Sequence, residues 1–413
     1  MSPYLAHAAG KEEFGFQVVD ERPRLEREVP ALGIHSVDMA INHTAFGEKF
    51  DQCAACDVLL DHEARQVSHP QPGENRPRDH LNTVRRQAAG DDDVLGSAIG
   101  HSERPTPFGP DSTGASIRNA EGELISPGPE RPTWRGAKDG VAVYRPVFID
   151  VMAEAAEALG VRIRRSLTVE AIEHGDEAVT VTLSNGEAQR YDLLVAADGI
   201  GSQTRTMLFP DATKPQYSGQ LSVRWMAPGP RIEREGWYVS TVGRLGFYYL
   251  PQGFVYVPAV MNVPEWKWLS HEEVHVSFRR LLDSFTAPAV AELRSRLTPD
   301  AELIGRPFEW LLLSNPWYTG RCLIIGDAAH ATTAHMGMGG GMAVEDATVL
   351  GQCVENASNL SGALKAFMQR RFERVKTVVD TSVKLSKLEQ LKAPPSENRA
   401  LLTAAFQAIA QPY

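Results

Sequence analysis

The chain has 413 residues, of which 43% are hydrophobic, and it carries a formal net charge of −10. Its length predicts about two to three domains, and its apolar content is enough for a sizeable core. No block of Lys and Arg is present, which argues against nucleic acid as a partner, since binding to phosphates needs grouped basic side chains. No apolar run approaches the roughly 20 residues that span a bilayer, and the sequence after Met1 lacks a secretory pattern. We therefore expect a cytoplasmic protein without membrane contact.

The four cysteines are too few for a disulfide framework, which fits a reducing compartment. Cys53 and Cys56 form a Cys-x-x-Cys pair, with His62 and His69 downstream. A zinc site is one interpretation, but the irregular spacing of the histidines favours two incidental thiols. We therefore predict no metal site.

The first predicted element is a short strand from Phe14 to Asp20, followed by Glu21 and Arg22. A strand that ends at an acidic residue is typical of the second strand of a Rossmann-type unit, where that residue binds a ribose. A charged surface turn is the alternative. The fingerprint G-x-G-x-x-G would stand about 20 residues earlier, and the residues before Glu21 do not contain it.

The stretch 51–110 is rich in Pro, Gly, Asp, Arg and His and shows neither the strand period nor the helix period. We predict an irregular insertion or a long loop there, with a functional lid as the lesser alternative. A strand is predicted at Gly114–Arg118 and an amphipathic helix from Val147 to Leu159. Strands at Ala178–Leu183 and Ala188–Leu194 follow, joined by an Asn-Gly turn.

The segment 215–313 is predicted to be β-rich, because it contains short runs of Val, Tyr, Trp and Phe. One helix is predicted inside it, from Glu272 to Phe285. The sequence after this segment returns to a strand-and-helix pattern, and it is predicted to be helical from Gly362 to Leu391, with charged residues on exposed turns.

Two glycine motifs indicate a cofactor site. In the first, an apolar strand breaks at Asp198-Gly199; in the second, the apolar run Arg321–Ile325 leads into Gly326–His330 (GDAAH). The glycine-rich run Met336–Met342 then precedes a helix predicted from Met342 to Val354. Glycines let the unpaired N–H groups of a helix start approach a phosphate or ring carbonyl, and a carboxylate at a strand end can bind sugar hydroxyls. A structural turn is the alternative for either motif alone.

In this order the two motifs resemble those of the FAD-dependent aromatic hydroxylases, the single-component flavoprotein monooxygenases with the p-hydroxybenzoate hydroxylase fold. The resemblance covers about Tyr144 to Arg371. It implies an α/β (α+β) fold, in which a Rossmann-like FAD-binding domain is interrupted by an antiparallel β-sheet substrate domain and followed by C-terminal helices. The implied segments are a partial Rossmann unit (1–50), the insertion (51–110), the continued FAD domain (111–214), the substrate domain (215–313), the FAD domain with the Gly-Asp motif (314–358) and the helical region (359–413).

The resemblance also implies roles for single residues. The implied cofactor contacts are Glu21, Arg22, Arg145, Asp198, Gly199, Gly326, Asp327, Gly337, Gly339, Gly340, Gly341 and Met342. Two positions depart from the family pattern, because Ala334 stands where a proline is usual and Met338 where a glutamine is usual.

In this family the antiparallel sheet forms the roof of the substrate pocket. The predicted substrate contacts are Arg224, Trp225, Tyr248 and Tyr256, and plain sheet packing is the alternative for each of them. The predicted catalytic residues are His330 and His335, since they are the titratable groups closest in sequence to the flavin loop and imidazole titrates near neutrality. A structural role is the alternative for His330.

The implied function is a monooxygenase in which NADPH or NADH reduces FAD, and O2 then forms a flavin hydroperoxide that hydroxylates a small aromatic substrate. The expected partners are that substrate and O2, and the protein is expected to be a monomer or a homodimer. A flavin halogenase is disfavoured, because Trp266-Lys267-Trp268 is not followed by the Ile-Pro of the halogenase motif. The alternative from another class is an N-terminally incomplete, non-catalytic or FAD-deficient relative, which the missing glycine fingerprint motivates.

Overall fold

The computed structural model describes residues 14–18, 37–43, 116–126, 145–250 and 253–411. The described residues form two compact units. The first unit contains 14–18, 37–43, 149–218 and 309–411, and the second contains 116–126, 145–148, 219–250 and 253–308. The predicted insertion at 51–110 lies outside the described residues, as do Glu21, Arg22 and the Cys-x-x-Cys pair.

A six-stranded sheet forms the centre of the first unit. From one edge to the other its strands are β15 (Tyr318–Thr319), β16 (Cys322–Ile324), β9 (Leu193–Ala196), β2 (Val37–His43), β1 (Phe14–Val18) and β5 (Ile163–Arg165). Strands β16, β9 and β2 are parallel to one another. The three-stranded sheet β6 (Val169–His174), β7 (Val179–Leu183) and β8 (Ala188–Tyr191) is separate from it.

The predicted N-terminal strand is present as β1, but its direction differs from the prediction. A second Rossmann strand is parallel to its neighbours, whereas β1 is antiparallel to both β2 and β5. Strand β1 pairs with β2, the next strand among the described residues, and an antiparallel pair of this kind is common between successive strands.

The helices of the described residues are α1 (Arg145–Ala158), α2 (Gln203–Leu208), α3 (His271–Asp283), α4 (Pro288–Ser295), α5 (Asp327–His330), α6 (Gly339–Asn356), α7 (Leu360–Gln390) and α8 (Pro395–Ile409). In the first unit, the inward sides of α6 and α7 pack with β9 and β16 in one apolar core. Among the helices that the structure describes, none combines the length and the apolar character needed to cross a membrane.

A seven-stranded sheet forms the second unit. Its strands, in order, are β14 (Leu303–Trp310), β10 (Gln216–Pro228), β13 (Phe254–Asn262), β12 (Gly243–Leu250), β11 (Gly236–Val239), β3 (Ile117–Arg118) and β4 (Leu124–Ser126). Alternate residues of β10, β12 and β13 pack in one core with α3 and α4. The sequence prediction placed β3 and β4 in the FAD domain, but Ile117 pairs with Trp237 of β11, so both strands extend this sheet instead.

Candidate cofactor and substrate sites

The Asp-Gly motif forms a hydrogen-bonded turn at the end of β9. All four residues of β9 are buried, and Asp198 after them is 4% exposed. One carboxylate oxygen of Asp198 accepts a hydrogen bond from the Ser202 hydroxyl, and the other accepts one from the Thr204 N–H at 3.0 Å. Gly199 has a φ of 76°, in the left-handed region that favours glycine. Asp198 therefore holds the turn in place and orients the start of α2.

Arg205 connects the two glycine motifs. Its guanidinium donates to the Ala328 carbonyl at 2.8 Å and to the Ile200 carbonyl at 2.7 Å, and the residue is 5% exposed. Burial lowers the pKa of Arg205, and the nearby Asp198 partly opposes that shift. Arg205 follows the Asp-Gly pair closely in the sequence, but nothing in its spacing indicated that it would join the end of β9 to α5.

The Gly-Asp motif lies at the end of β16, the parallel neighbour of β9. Gly326 has φ 59° and ψ −149°, and Asp327, the first residue of α5, is 2% exposed. Ligands of α/β sheets bind outside the carboxyl ends of parallel strands. The two motifs therefore occupy adjacent positions at the sheet edge where a cofactor is expected.

The glycine run forms the first turn of α6. Gly339, Gly340 and Gly341 open this helix, which receives no side-chain cap from Met338 and has no acidic residue in its first turn. The first N–H groups of a helix have no partner within it, and glycines allow an acceptor to approach them closely. The side chain of Met342 is 1% exposed and belongs to the apolar core.

The buried carboxylate of Asp346, on α6, forms hydrogen bonds with the Gly-Asp motif. Its Oδ2 accepts a hydrogen bond from the Gly326 N–H at 2.9 Å and lies 2.6 Å from Nε2 of His330, while its Oδ1 accepts one from Nε of Arg371 at 2.7 Å. Asp346 and Arg371 are both 0% exposed. Burial by itself would raise the pKa of Asp346, but His330, Arg371 and the Gly326 N–H together hold that pKa below its ordinary value.

A second carboxylate, that of Glu345, belongs to the same network. Glu345 pairs with Arg371 at 2.5 Å and with Arg374 at 2.7 Å. The Arg371 guanidinium also donates to the Met342 carbonyl at 2.9 Å. The sequence prediction placed Arg371 and Arg374 on exposed turns, which is wrong for Arg371, because its guanidinium is fully buried against these two carboxylates.

The two predicted catalytic histidines have different surroundings. His330 is 1% exposed, bonded to Asp346 and packed against the ring of Trp317 at 5.1 Å between centroids, surroundings that favour the structural alternative for this residue. The His335 ring is near the Thr333 hydroxyl at 3.0 Å and Oε2 of Glu389 at 3.5 Å.

The four predicted substrate residues divide between the two faces of the seven-stranded sheet. Trp225 is 2% exposed and packs edge-on against Phe278 of α3, with 5.9 Å between ring centroids. It is therefore a core residue, contrary to the prediction, because strand alternation turns it away from its neighbour Arg224. Arg224, Tyr248 and Tyr256 lie on the opposite face, where they are only partly buried.

On that outer face the side chains form a cross-strand group. Tyr248 is opposite Tyr256 in the register, and Tyr256 hydrogen-bonds with the Arg224 guanidinium. Burial lowers the pKa of Arg224, Tyr256 opposes the shift, and the positive charge of Arg306 lowers that pKa further. On the same sheet the Arg244 guanidinium stacks on Trp237 at 4.4 Å, a contact that no sequence pattern indicated.

Arg145 is the first residue of α1, and its side chain lies outside what the structure describes. Among the described residues, no group of His, Cys, Asp and Glu is arranged to hold a metal ion.

Comparison with known proteins assigns the family. The sequence model of the family described as "FAD binding domain" matches residues 141–382, more than half of the chain. The chain is 28% identical over 290 residues to aurachin C monooxygenase/isomerase of Stigmatella aurantiaca, covering 68% of this chain and 73% of that protein. It is 31% identical over 267 residues to 2-heptyl-3-hydroxy-4(1H)-quinolone synthase of Pseudomonas aeruginosa, covering 62% of this chain and 67% of that protein.

The fold is also similar to that of known structures. A salicylate hydroxylase in complex with its substrate superposes with a TM-score of 0.60 at 20% identity, covering 74% of this chain and 82% of that one. Structural similarity at this level of identity shows the fold alone, and the sequence matches show the family. The chain belongs to the FAD-dependent aromatic hydroxylases and is an FAD-dependent flavoprotein monooxygenase.

Proposed function

We propose that this enzyme hydroxylates a small aromatic substrate, with NADPH or NADH as the reductant of its FAD and O2 as the oxygen source. One observation carries the proposal. The Asp-Gly and Gly-Asp turns end two adjacent parallel strands, and the buried Arg205 joins them. This arrangement supports a preformed cofactor cradle at the sheet edge where ligands of α/β folds bind.

The residues present fit FAD. Gly326, which has a positive φ, turns the backbone from β16 into α5. Asp327 can accept hydrogen bonds from the hydroxyls of the ribitol chain, and the first turn of α6 presents N–H groups to a ring carbonyl or phosphate. FAD, when bound, supplies the electron transfer and the activation of O2. We propose that Glu21 and Arg22 contact its adenosine ribose and that Arg145 is a further cofactor contact.

The outer face of the seven-stranded sheet is the proposed substrate surface. Tyr248 and Tyr256 are paired across two strands and offer flat aromatic surface and hydroxyl groups, and Arg224 offers N–H donors to an acidic or carbonyl oxygen. The names of two proteins similar to this chain refer to ring compounds, a quinolone and salicylate. With His330 held in the buried network, His335 is the remaining candidate for a proton acceptor.

Purification followed by a visible spectrum tests the first part of this proposal. We expect a yellow protein that releases FAD in near-stoichiometric amount on denaturation. Oxidation of NADPH and NADH is then measured with salicylate and with 2-heptyl-4-quinolone, and products formed under isotopically labelled O2 are examined by mass spectrometry.

We expect at least one aromatic compound to accelerate oxidation and to gain one labelled oxygen atom. A colourless protein that takes up no added FAD would refute the cofactor site. Oxidation that yields only hydrogen peroxide with every ring compound tested would refute the hydroxylation.

A further inference from the structure

The carboxylate of Asp346 has two oxygens with different partners. Oδ2 faces the Gly-Asp motif, where it accepts from the Gly326 N–H at 2.9 Å and lies 2.6 Å from His330 Nε2. Oδ1 faces α7, where it accepts from Arg371 Nε at 2.7 Å. One side chain on α6 thus connects the motif on one side with the long helix α7 on the other.

The contacts of Oδ2 are with the first and last residues of the turn Gly326–His330. The backbone N–H of His330 donates to the Gly326 carbonyl at 2.9 Å, so Asp346 binds the residues at both ends of a single helical turn. That turn contains Asp327. Trp317, which is 0% exposed, packs against the His330 ring. The path of the Gly326–His330 backbone is therefore fixed by one buried acceptor.

The need to neutralise Arg371 does not by itself explain why Asp346 contacts the Gly326 N–H. Arg371 also binds Glu345 and the Met342 carbonyl, so it retains a carboxylate partner without Asp346. The Gly326 N–H, in contrast, comes from the residue with φ 59°, where the chain turns from β16 into α5. A fixed acceptor at this point orients the peptide that leads directly into Asp327.

We propose that Asp346 is a positioning residue for FAD, which acts through the Gly326 peptide and His330 without touching the cofactor. This inference rests on the proposed function, because it takes the Gly-Asp motif as the ribitol-binding turn. A carboxylate that is paired before the cofactor arrives keeps the turn in its binding conformation, and such preorganisation strengthens binding by reducing the ordering that binding requires.

Two double variants separate positioning from charge balance. Asp346→Asn/Arg371→Met and Asp346→Leu/Arg371→Met both remove the buried ion pair, and Asn and Leu have nearly the same shape. The asparagine of the first variant presents an amide oxygen to Gly326 and His330, whereas the leucine of the second presents none. Replacement of a buried ion pair by apolar side chains is often tolerated, so both proteins are expected to fold, which thermal unfolding of the apo-proteins checks.

We expect the Asn/Met protein to bind FAD nearly as tightly as wild type. The Leu/Met protein should bind about tenfold to a hundredfold more weakly, the loss that corresponds to hydrogen bonds with a fixed buried acceptor. The readouts are FAD titration of the apo-proteins by flavin fluorescence and the visible absorption band of the bound flavin. Glu345→Gln is the control, since Glu345 contacts Arg371 and Arg374 rather than the Gly-Asp motif, and its FAD affinity should change little.

Equal FAD affinity and equal flavin spectra in the two double variants would overturn this inference while leaving the proposed function intact. A wild-type protein that binds no FAD would overturn both. If neither double variant folds, the single changes Asp346→Asn and Asp346→Leu serve instead, because Arg371 keeps the Glu345 carboxylate as a partner in both. The same FAD affinity and absorption band in these two single variants would contradict the positioning role.

Discussion

The two glycine motifs and the seven-stranded sheet place their polar side chains by different means. Around the motifs, charged groups are buried and bonded to backbone: Arg205 reaches two carbonyls, and Asp346 holds the Gly326 N–H. In the sheet, Arg224 and Tyr256 are only partly buried and bond to each other across neighbouring strands. Fully buried polar groups depend on protein partners for their hydrogen bonds, whereas groups on a partly exposed face can also bond to water.

This difference indicates which substitutions should affect folding and which should affect ligands. A change at a buried polar residue removes a partner from a group that water cannot reach, so stability falls. A change on the outer face of the sheet leaves the core intact and alters what the face can bind. Five measurements test that division, from the largest expected effect to the smallest.

Trp225→Ala should cause the largest loss of stability. Its indole is 2% exposed and packs against Phe278, and truncation of a buried aromatic side chain to alanine costs about 3–5 kcal/mol. Urea unfolding of the variant measures this loss. Tyr256→Ala, on the other face of the same sheet, is the matched control and should cost much less; equal losses would show that the two faces are not distinct.

Arg205→Met should lower the free energy of unfolding by about 2–3 kcal/mol, because it leaves the buried carbonyl of Ala328 and the partly buried carbonyl of Ile200 without their donor. It should also weaken FAD binding, since the two motif turns lose their connection. Denaturant unfolding and flavin fluorescence measure the two effects. Arg205→Lys should recover part of both, and an Arg205→Met protein with wild-type stability and affinity would show that the bridge is dispensable.

Arg224→Gln should raise the KM of a substrate with an acidic group by about tenfold, the equivalent of about 1.4 kcal/mol, with a smaller change in kcat. The physical reason is the loss of a guanidinium on the proposed substrate face. Steady-state kinetics of wild type and variant give the change in KM for salicylate, which carries an acidic group, and for a neutral quinolone, which does not. A similar rise in KM for both substrates would contradict recognition of the acidic group.

Acid should destabilise the wild type partly through Asp346. Its pKa in the folded protein lies below the ordinary value of 3.8, so the unfolded chain binds the proton more readily. The contribution to stability is complete above that ordinary value and is lost as the pH falls through the folded pKa. Unfolding measured between about pH 5 and about pH 2 should therefore show a steeper acid dependence in wild type than in Asp346→Asn/Arg371→Met. Parallel curves would contradict this contribution.

His335→Asn should have the smallest effect on stability, because His335 makes a 3.5 Å contact with Glu389 and a 3.0 Å contact with Thr333. If His335 accepts a proton during catalysis, the variant should lose the acidic limb of the kcat profile against pH. A profile with the same shape as wild type would remove His335 as the proposed base. His330→Asn is the comparison, and it should instead lower stability and FAD affinity.

The motif residues could be predicted from the sequence because backbone requirements limit their identity. A buried strand that ends at a glycine and an aspartate has few conformations, and Gly199 and Gly326 both take positive φ. The helix predicted from Met342 to Val354 is also present, but it begins inside the glycine run, at Gly339, and ends at Asn356. By contrast, no sequence pattern indicates that Asp346 and Arg371, separated by 25 residues, form one network, since such contacts depend on how α6 packs against α7.

Strand alternation is where prediction from the sequence was least specific. Arg224 and Trp225 are adjacent and were both assigned to the substrate, yet one lies on the outer face and the other in the core. Period 2 requires that neighbours face opposite sides, but the sequence does not show which side a helix will cover. The packing of α3 on one face decides it.

The sequence alone identified the family and its cofactor through the resemblance of the two glycine motifs, and it located the two turns, because local backbone geometry limits which residues can form them. Only the tertiary structure shows the contacts and the burial of His330, Trp225 and Arg205. Both depend on which distant groups are brought together and shielded from water, and neither property is encoded in local sequence.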